Sequence, residues 1–293
     1  MPPPATPHPR RPYKLLTLGC LLLALAAAHA YWPRSTDILI PVFNGSGKYG
    51  FINDKGQLVH SFQWEHVNRF SKSGLAGVTL ETPEGKRWGA IDRQGKVVIP
   101  YVWEKGGGFL DSGYAMTVKN QKWGLINQQG TVVVPHEWDF IEPIRTKSGI
   151  DHLDSHGWAK VSRGRGTKDD PQIMGWVDHN GKIVIPIEYR EAESFDEQGW
   201  AKVKRGTESG WINRQGKWVM PPEWEACSSF DEYGWAAVFR NGKSGYIDRQ
   251  GKIVLPLEWD YCWEFHPRGY AQVMKGKMRG LIDRTGKLII GII

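Results

Sequence analysis

Residues 87–104 read Arg87-Trp88-Gly89-Ala90-Ile91-Asp92-Arg93-Gln94-Gly95-Lys96-Val97-Val98-Ile99-Pro100-Tyr101-Val102-Trp103-Glu104. An apolar stretch ends at Ile91, Asp92 opens a turn, Gly95 closes it, and a β-branched run follows. An Asx side chain can accept from the backbone two residues on, and glycine takes left-handed dihedrals without steric cost. Consecutive β-branched residues at 97–99 suit a strand buried on both faces. Pro100, with no N–H to donate, is expected to end that strand. The stretch therefore predicts a β-hairpin.

The same hairpin recurs along the chain. Its first glycine returns as Gly50, Gly89, Gly124, Gly175, Gly210, Gly245 and Gly280, and its second, six residues on, as Gly56, Gly95, Gly130, Gly181, Gly216, Gly251 and Gly286. The intervals between first glycines are 39, 35, 51, 35, 35 and 35. With the first glycine as position 0, position +2 is Ile or Val and position +3 is Asp or Asn in every unit. Position +11 is proline in five units (Pro100, Pro135, Pro186, Pro221, Pro256). Position +14 is aromatic in six: Trp64, Trp103, Trp138, Tyr189, Trp224 and Trp259. An acid usually follows, and Phe70, Phe109, Phe195, Phe230 and Phe265 stand at +20. A third strand begins with a fixed small residue, as in Leu75-Ala76, Trp158-Ala159 and Trp200-Ala201.

A unit this short cannot enclose a core alone, so neighbours must stack. The reading is all-β: a tandem array of about seven three-stranded antiparallel meanders of ~35 residues. Solenoid-like stacking is favoured, with a seven-unit β-propeller as the alternative. The domain spans 38–293, with insertions at 82–85, 144–157 and 164–173. The ring at −1 (Tyr49, Trp88, Trp123) gives way later to a ring at +1 (Trp176, Trp211, Tyr246). Residues two apart on a strand share a face, so the slot is kept and its filler moves one rung.

The first 30 residues differ in kind. Arg10, Arg11 and Lys14 precede the apolar run Leu15–Ala28, and Ala28-His29-Ala30 ends it. That layout is a signal peptide; a retained anchor within 15–30 is the alternative, and 31–37 is a linker. The expected location is exported, periplasmic or extracellular, or tethered to the membrane by that segment. The chain carries a net charge of +7; losing 1–30 removes three basic residues and no acid, leaving +4. No basic run concentrates that charge, so no nucleic-acid partner is expected.

The units around Trp88-Gly89 and Trp123-Gly124 resemble the WG-repeat family of bacterial proteins, from about Lys48 to Ile290. The resemblance implies an interaction module, often exported, and says almost nothing of activity. The expected function is a non-enzymatic exported scaffold that binds a protein in the bacterial envelope, with no cofactor. Three candidate chemistries stand beside it. The six aromatics at +14, next to carboxylates, could form a glycan or cell-wall platform. His152, Asp154 and His156 in the unit-three insertion would share a face if they lay on a strand, which suits a metal and a metal-dependent or hydrolytic activity. Cys227 and Cys262 both occupy +17 in adjacent units and could form a disulfide. No G-x-S-x-G, phosphate loop or H-E-x-x-H is present, so no catalytic residue is assigned.

Overall fold

The computed structural model describes residues 38–146 and 149–291. The segment read as signal peptide and linker, 1–37, lies outside the described residues. Seven antiparallel sheets of three or four strands follow one another along the chain, with one further two-stranded hairpin and no helix among the described residues. Sheet 1 holds Ile40–Phe43, Tyr49–Ile52 and Leu58–Trp64. Sheet 2 holds His66–Val67, Ala76–Thr82, Gly85–Ile91 and Val97–Trp103. Sheet 3 holds Lys105–Gly106, Ala115–Lys119, Lys122–Ile126 and Val132–Trp138. Sheet 4 holds Phe140–Glu142, Trp158–Arg163, Ile173–Asp178 and Ile183–Tyr189. Sheet 5 holds Glu191–Ala192, Trp200–Arg205 and Glu208–Asn213. Sheet 6 holds Ala226–Cys227, Trp235–Arg240, Lys243–Asp248 and Ile253–Trp259. Sheet 7 holds Tyr261–Cys262, Tyr270–Lys275, Met278–Asp283 and Leu288–Ile290.

The expected meander of three strands is thus joined by a fourth in most sheets. Two or three residues after the +14 aromatic pair with the strand that carries the small alanine, as Val67 does with Val78. In sheet 5 the last strand is reduced to the isolated bridges Ser209–Trp224 and Ile212–Trp218. There Pro221 is followed by Pro222, and two missing N–H groups break the ladder.

The glycine at position 0 answers to a bulge. In sheet 2 Trp88 faces Trp103 while Ala90 faces Ile99, so two residues on one strand span four on the other. The longer strand arches over Gly89, and a Cβ there would sit 2.6 Å from the Ile99 carbonyl oxygen. Only glycine tolerates that approach. The second glycine closes its turn at positive φ, for example 80° at Gly95. The +3 side chain caps the turn: Asp92 Oδ1 accepts from Gln94 N at 3.0 Å and Lys96 N at 2.9 Å.

The core lies between sheets. Six buried clusters each join two consecutive sheets, from Phe51, Trp64 and Ile91 between sheets 1 and 2 to Tyr246, Trp259 and Ile282 between sheets 6 and 7. On each cassette strand, position +1 packs toward the following sheet and +2 toward the preceding one, as period-2 alternation requires. Among the described residues no such cluster joins sheet 7 to sheet 1. The array is therefore open, as solenoid-like stacking requires.

Candidate functional site

The interval of 51 residues marks where the repeat departs from itself. Between Phe140–Glu142 and Trp158–Arg163 of sheet 4 the chain inserts a small hairpin, Ile144–Thr146 paired with Gly149–Asp151. Asp151 pins it to the neighbouring sheet. Its Oδ1 accepts from the Ser112 hydroxyl at 2.5 Å and its Oδ2 from the Ser112 backbone N–H at 3.2 Å. Asp151 is buried, so these hydrogen bonds offset its desolvation.

The pinned hairpin walls a cleft of about 1310 Å³ that runs across sheets 3, 4 and 5. Tyr114, Ile144, Leu153 and Phe195 give it an apolar floor. Ser155, His156, His179, Glu197 and Gln198 stand at its exposed rim. Inside, Arg214 Nη1 donates to Asp154 Oδ2 at 2.7 Å. The guanidinium lies 5.1 Å from the Trp158 ring and 4.5 Å from the Phe195 ring, a cation held between two faces.

That Asp–Arg pair is the first rung of a ladder. Arg249 Nη2 donates to Asp196 Oδ2 and Arg284 Nη2 to Asp231 Oδ2, each at 2.8 Å. Every rung links position +4 of one sheet to a turn residue of the sheet before it. Arg249 lies over Trp200 and Phe230, and Arg284 over Trp235 and Phe265. Guanidinium nitrogens of Arg249 and Arg284 that lack hydrogen-bond partners thus belong to groups stacked on rings.

The structure corrects the metal arrangement. The strand ends at Asp151, and 152–157 form a turn, so His152, Asp154 and His156 share no strand face. Asp154 Oδ1 caps that turn, accepting from the His156 and Trp158 backbone at 2.8 and 3.0 Å. His156 is exposed on the cleft, but His152 is buried with an unpartnered Nδ1. Burial lowers the His152 imidazole to about 4. Among the described residues no group of three or more His, Cys, Asp or Glu side chains is placed to hold a metal. Nor do Ser155, His156 and Asp154 form a relay: Ser155 Oγ is 3.2 Å from His156 Nδ1, but Asp154 binds the His156 backbone instead of its ring.

The aromatics proposed as a sugar platform are interior. Trp64, Trp103, Trp138, Tyr189, Trp224 and Trp259 are at most 7% exposed. A basic residue of the following sheet often seals what is left: Arg163 lies 4.6 Å from the Trp138 ring and Arg240 4.8 Å from that of Trp224. Such rings offer no face to a glycan. The neighbouring acids anchor hairpin tips, as Asp139 Oδ2 does for Gly164 N at 2.9 Å. The Lys122 ammonium and that N–H hold the Asp139 carboxyl below its usual range.

Cys227 and Cys262 are free, the first half-buried and the second buried. Equivalent residues of stacked sheets are set apart by the sheet spacing, on the order of 10 Å, against about 4.4–6.8 Å between the Cα atoms of a bridge. Burial pushes both thiols up to about 12, which keeps them protonated. Sequence reasoning missed Ser112, Tyr114, His179, Phe195 and Arg214. Its available signal was position +4, which is Arg in four of the seven units.

The fold and site define an open, all-β tandem repeat with one irregular cleft. The WG containing repeat matches at residues 49–81, 88–123, 123–149, 174–206, 210–243 and 245–278. The chain belongs to the WG-repeat family. Comparison with curated proteins finds no match. Among solved structures, the chain is similar to a eukaryotic initiation factor at 9% identity and TM-score 0.39, covering 88% of this chain and 75% of that one. Puromycin hydrolase matches at 12% identity and TM-score 0.31, over 86% of this chain and 51% of its own. Kluyveromyces lactis Hsv2 matches at 6% identity and TM-score 0.27, over 86% and 88%.

Proposed function

We propose that this protein is a non-enzymatic binding scaffold whose contact surface is the cleft across sheets 3–5, and that its partner is a protein segment. One observation carries the reading. The longest departure from the repeat period is built into the body as a wall, through Asp151 and Ser112. It frames side chains that the stacking does not use: Ser155, His156, His179 and Gln198. An apolar floor of Tyr114, Ile144, Leu153 and Phe195 under a polar rim suits the core-and-rim pattern of protein recognition. The N-terminal layout of 1–30 supports export to the envelope, or tethering there, as part of the same reading.

The test is capture of partners from the native envelope by the wild-type chain and by a variant in which 144–151 is replaced by a short turn. A partner held by the wild type and lost by the variant is the expected result, provided the variant keeps its thermal unfolding transition. Identical partners on both proteins would place the binding surface elsewhere.

A further inference from the structure

We propose that this chain assembles head to tail with further copies of itself, sheet 7 of one copy stacking on sheet 1 of the next. The two ends of the array expose residues whose counterparts at the internal interfaces are buried, His60 of sheet 1 excepted, which is half-buried. Ile290 stands opposite Leu281 in sheet 7, as Leu255 stands opposite Tyr246 in sheet 6. Ile290 is 50% exposed, whereas Ile99, Val134, Ile185, Met220 and Leu255 at the same position are all buried. Leu281 is half-buried where Phe51, Ala90, Leu125, Trp176, Trp211 and Tyr246 are buried.

The opposite end mirrors this. Ile40 stands opposite Ile52 in sheet 1, as Ala76 stands opposite Ile91 in sheet 2. Ile40 is 43% exposed, whereas the alanines at its position, from Ala76 to Ala271, are buried. Ile52 is half-buried where the six other +2 residues are buried. One end thus presents an unfilled "following" face and the other an unfilled "preceding" face. Stacking them would repeat a contact that the chain already makes six times.

A second observation points the same way. The ladder joins a turn residue of one sheet to position +4 of the next, through Asp154–Arg214, Asp196–Arg249 and Asp231–Arg284. In sheet 7 the turn residue is His266, which closes the same turn with Gly269. In sheet 1 position +4 is Asp54. The junction between copies would pair His266 with Asp54, placing the hydrogen-bond donor on the turn and the carboxylate at +4, the reverse of the internal rungs. The His266 ring stacks on Tyr270 at 4.8 Å, and its Nδ1 accepts from Arg268 N–H. Nε2 is left to donate across the junction. Both His266 and Asp54 are exposed. Joining unlike ends of identical chains is a heterologous contact, which grows into filaments or closes into rings.

Sedimentation velocity of the full chain, purified from its native host over a range of concentrations, reads the outcome. The expected result is growth from one chain mass to multiples of it. Ile290→Asp and Ile40→Asp should each weaken association by tenfold or more, on the order of 1.4 kcal/mol. Both sites are solvent-exposed, so the thermal transition should stay in place. Asp54→Arg should weaken association about fivefold, and adding His266→Asp should restore it. A mixture of Ile40→Cys and Ile290→Cys chains should give a disulfide between copies. A single chain mass at all concentrations, or oligomers indifferent to Ile290→Asp, would overturn the proposal. So would a doubly substituted chain that cross-links only within itself.

Discussion

Sheets 1–3 and sheets 4–7 solve the same stacking problem with different side chains. In the first region a large ring at −1 faces the +14 ring across the bulge: Tyr49 with Trp64, Trp88 with Trp103, Trp123 with Trp138. In sheets 4–6, −1 is Met174, Ser209 or Ser244 and the ring stands at +1 as Trp176, Trp211 or Tyr246, while sheet 1 carries a ring at both positions and sheet 7, with Arg279 and Leu281, at neither. These packed rings meet the Phe at +20, with centroids 4.7 Å apart for Trp211 and Phe230. The second region adds three Asp–Arg rungs in succession. The period thus dictates a slot, and the slot tolerates more than one filling. The cleft lies where the two solutions meet, and its Asp154–Arg214 pair is the first rung of the second.

The comparison breaks most visibly at the rings. Trp211→Ala empties a fully buried slot and should cost about 3–5 kcal/mol in urea unfolding. Trp123→Ala, at a half-buried −1 position, should cost less than half of that. Equal losses would mean that the ring has not moved between slots.

The boundary has its own signature in pH. Burial holds His152 neutral in the fold at about 4, below the ordinary histidine value of 6.5. In that interval the unfolded chain binds a proton that the folded chain does not. Stability is therefore complete above ~6.5 and falls as pH drops toward ~4, by roughly 3 kcal/mol. Urea midpoints should show that slope in the wild type and lose it in His152→Leu.

Rungs come next in size. Arg249→Met strands the partly buried Asp196 carboxylate and uncovers two rings, for about 2 kcal/mol. Gln128→Met, at the same +4 position in the first region, should stay within about 0.5 kcal/mol. A similar cost at both positions would remove the distinction between the regions. The smallest effect belongs to Asp260, whose carboxyl is lowered by the Lys243 ammonium and the Gly276 N–H. Its contribution is present above the ordinary carboxylate range and lost as pH falls through it. Asp260→Asn should slightly flatten acid unfolding below roughly pH 4.

Most of the fold was legible because the period writes backbone requirements into single residues. Gly89 under an arching strand, Gly95 at positive φ and Asp92 capping a turn are each local and each repeated. The short fourth strand was not legible, since two residues such as His66 and Val67 carry no pattern. The cleft was legible only as a place, the insertion at 144–157. Its lining comes from Ser112 to Arg214, and only stacking brings those residues together. The metal reading failed because it took a turn for a strand. The +14 rings were misread as a platform because a repeated tryptophan looks the same in sequence whether it faces water or the next sheet.

The central claim is that the period builds the body and its longest interruption builds the binding surface. Hydrogen exchange of the chain, alone and with the partner recovered from its native compartment, tests this most directly. Slowed exchange at 112–114, 150–157 and 195–199 is the expected result. Slowing confined to the regular hairpins of sheets 6 and 7, with the cleft unchanged, would contradict it.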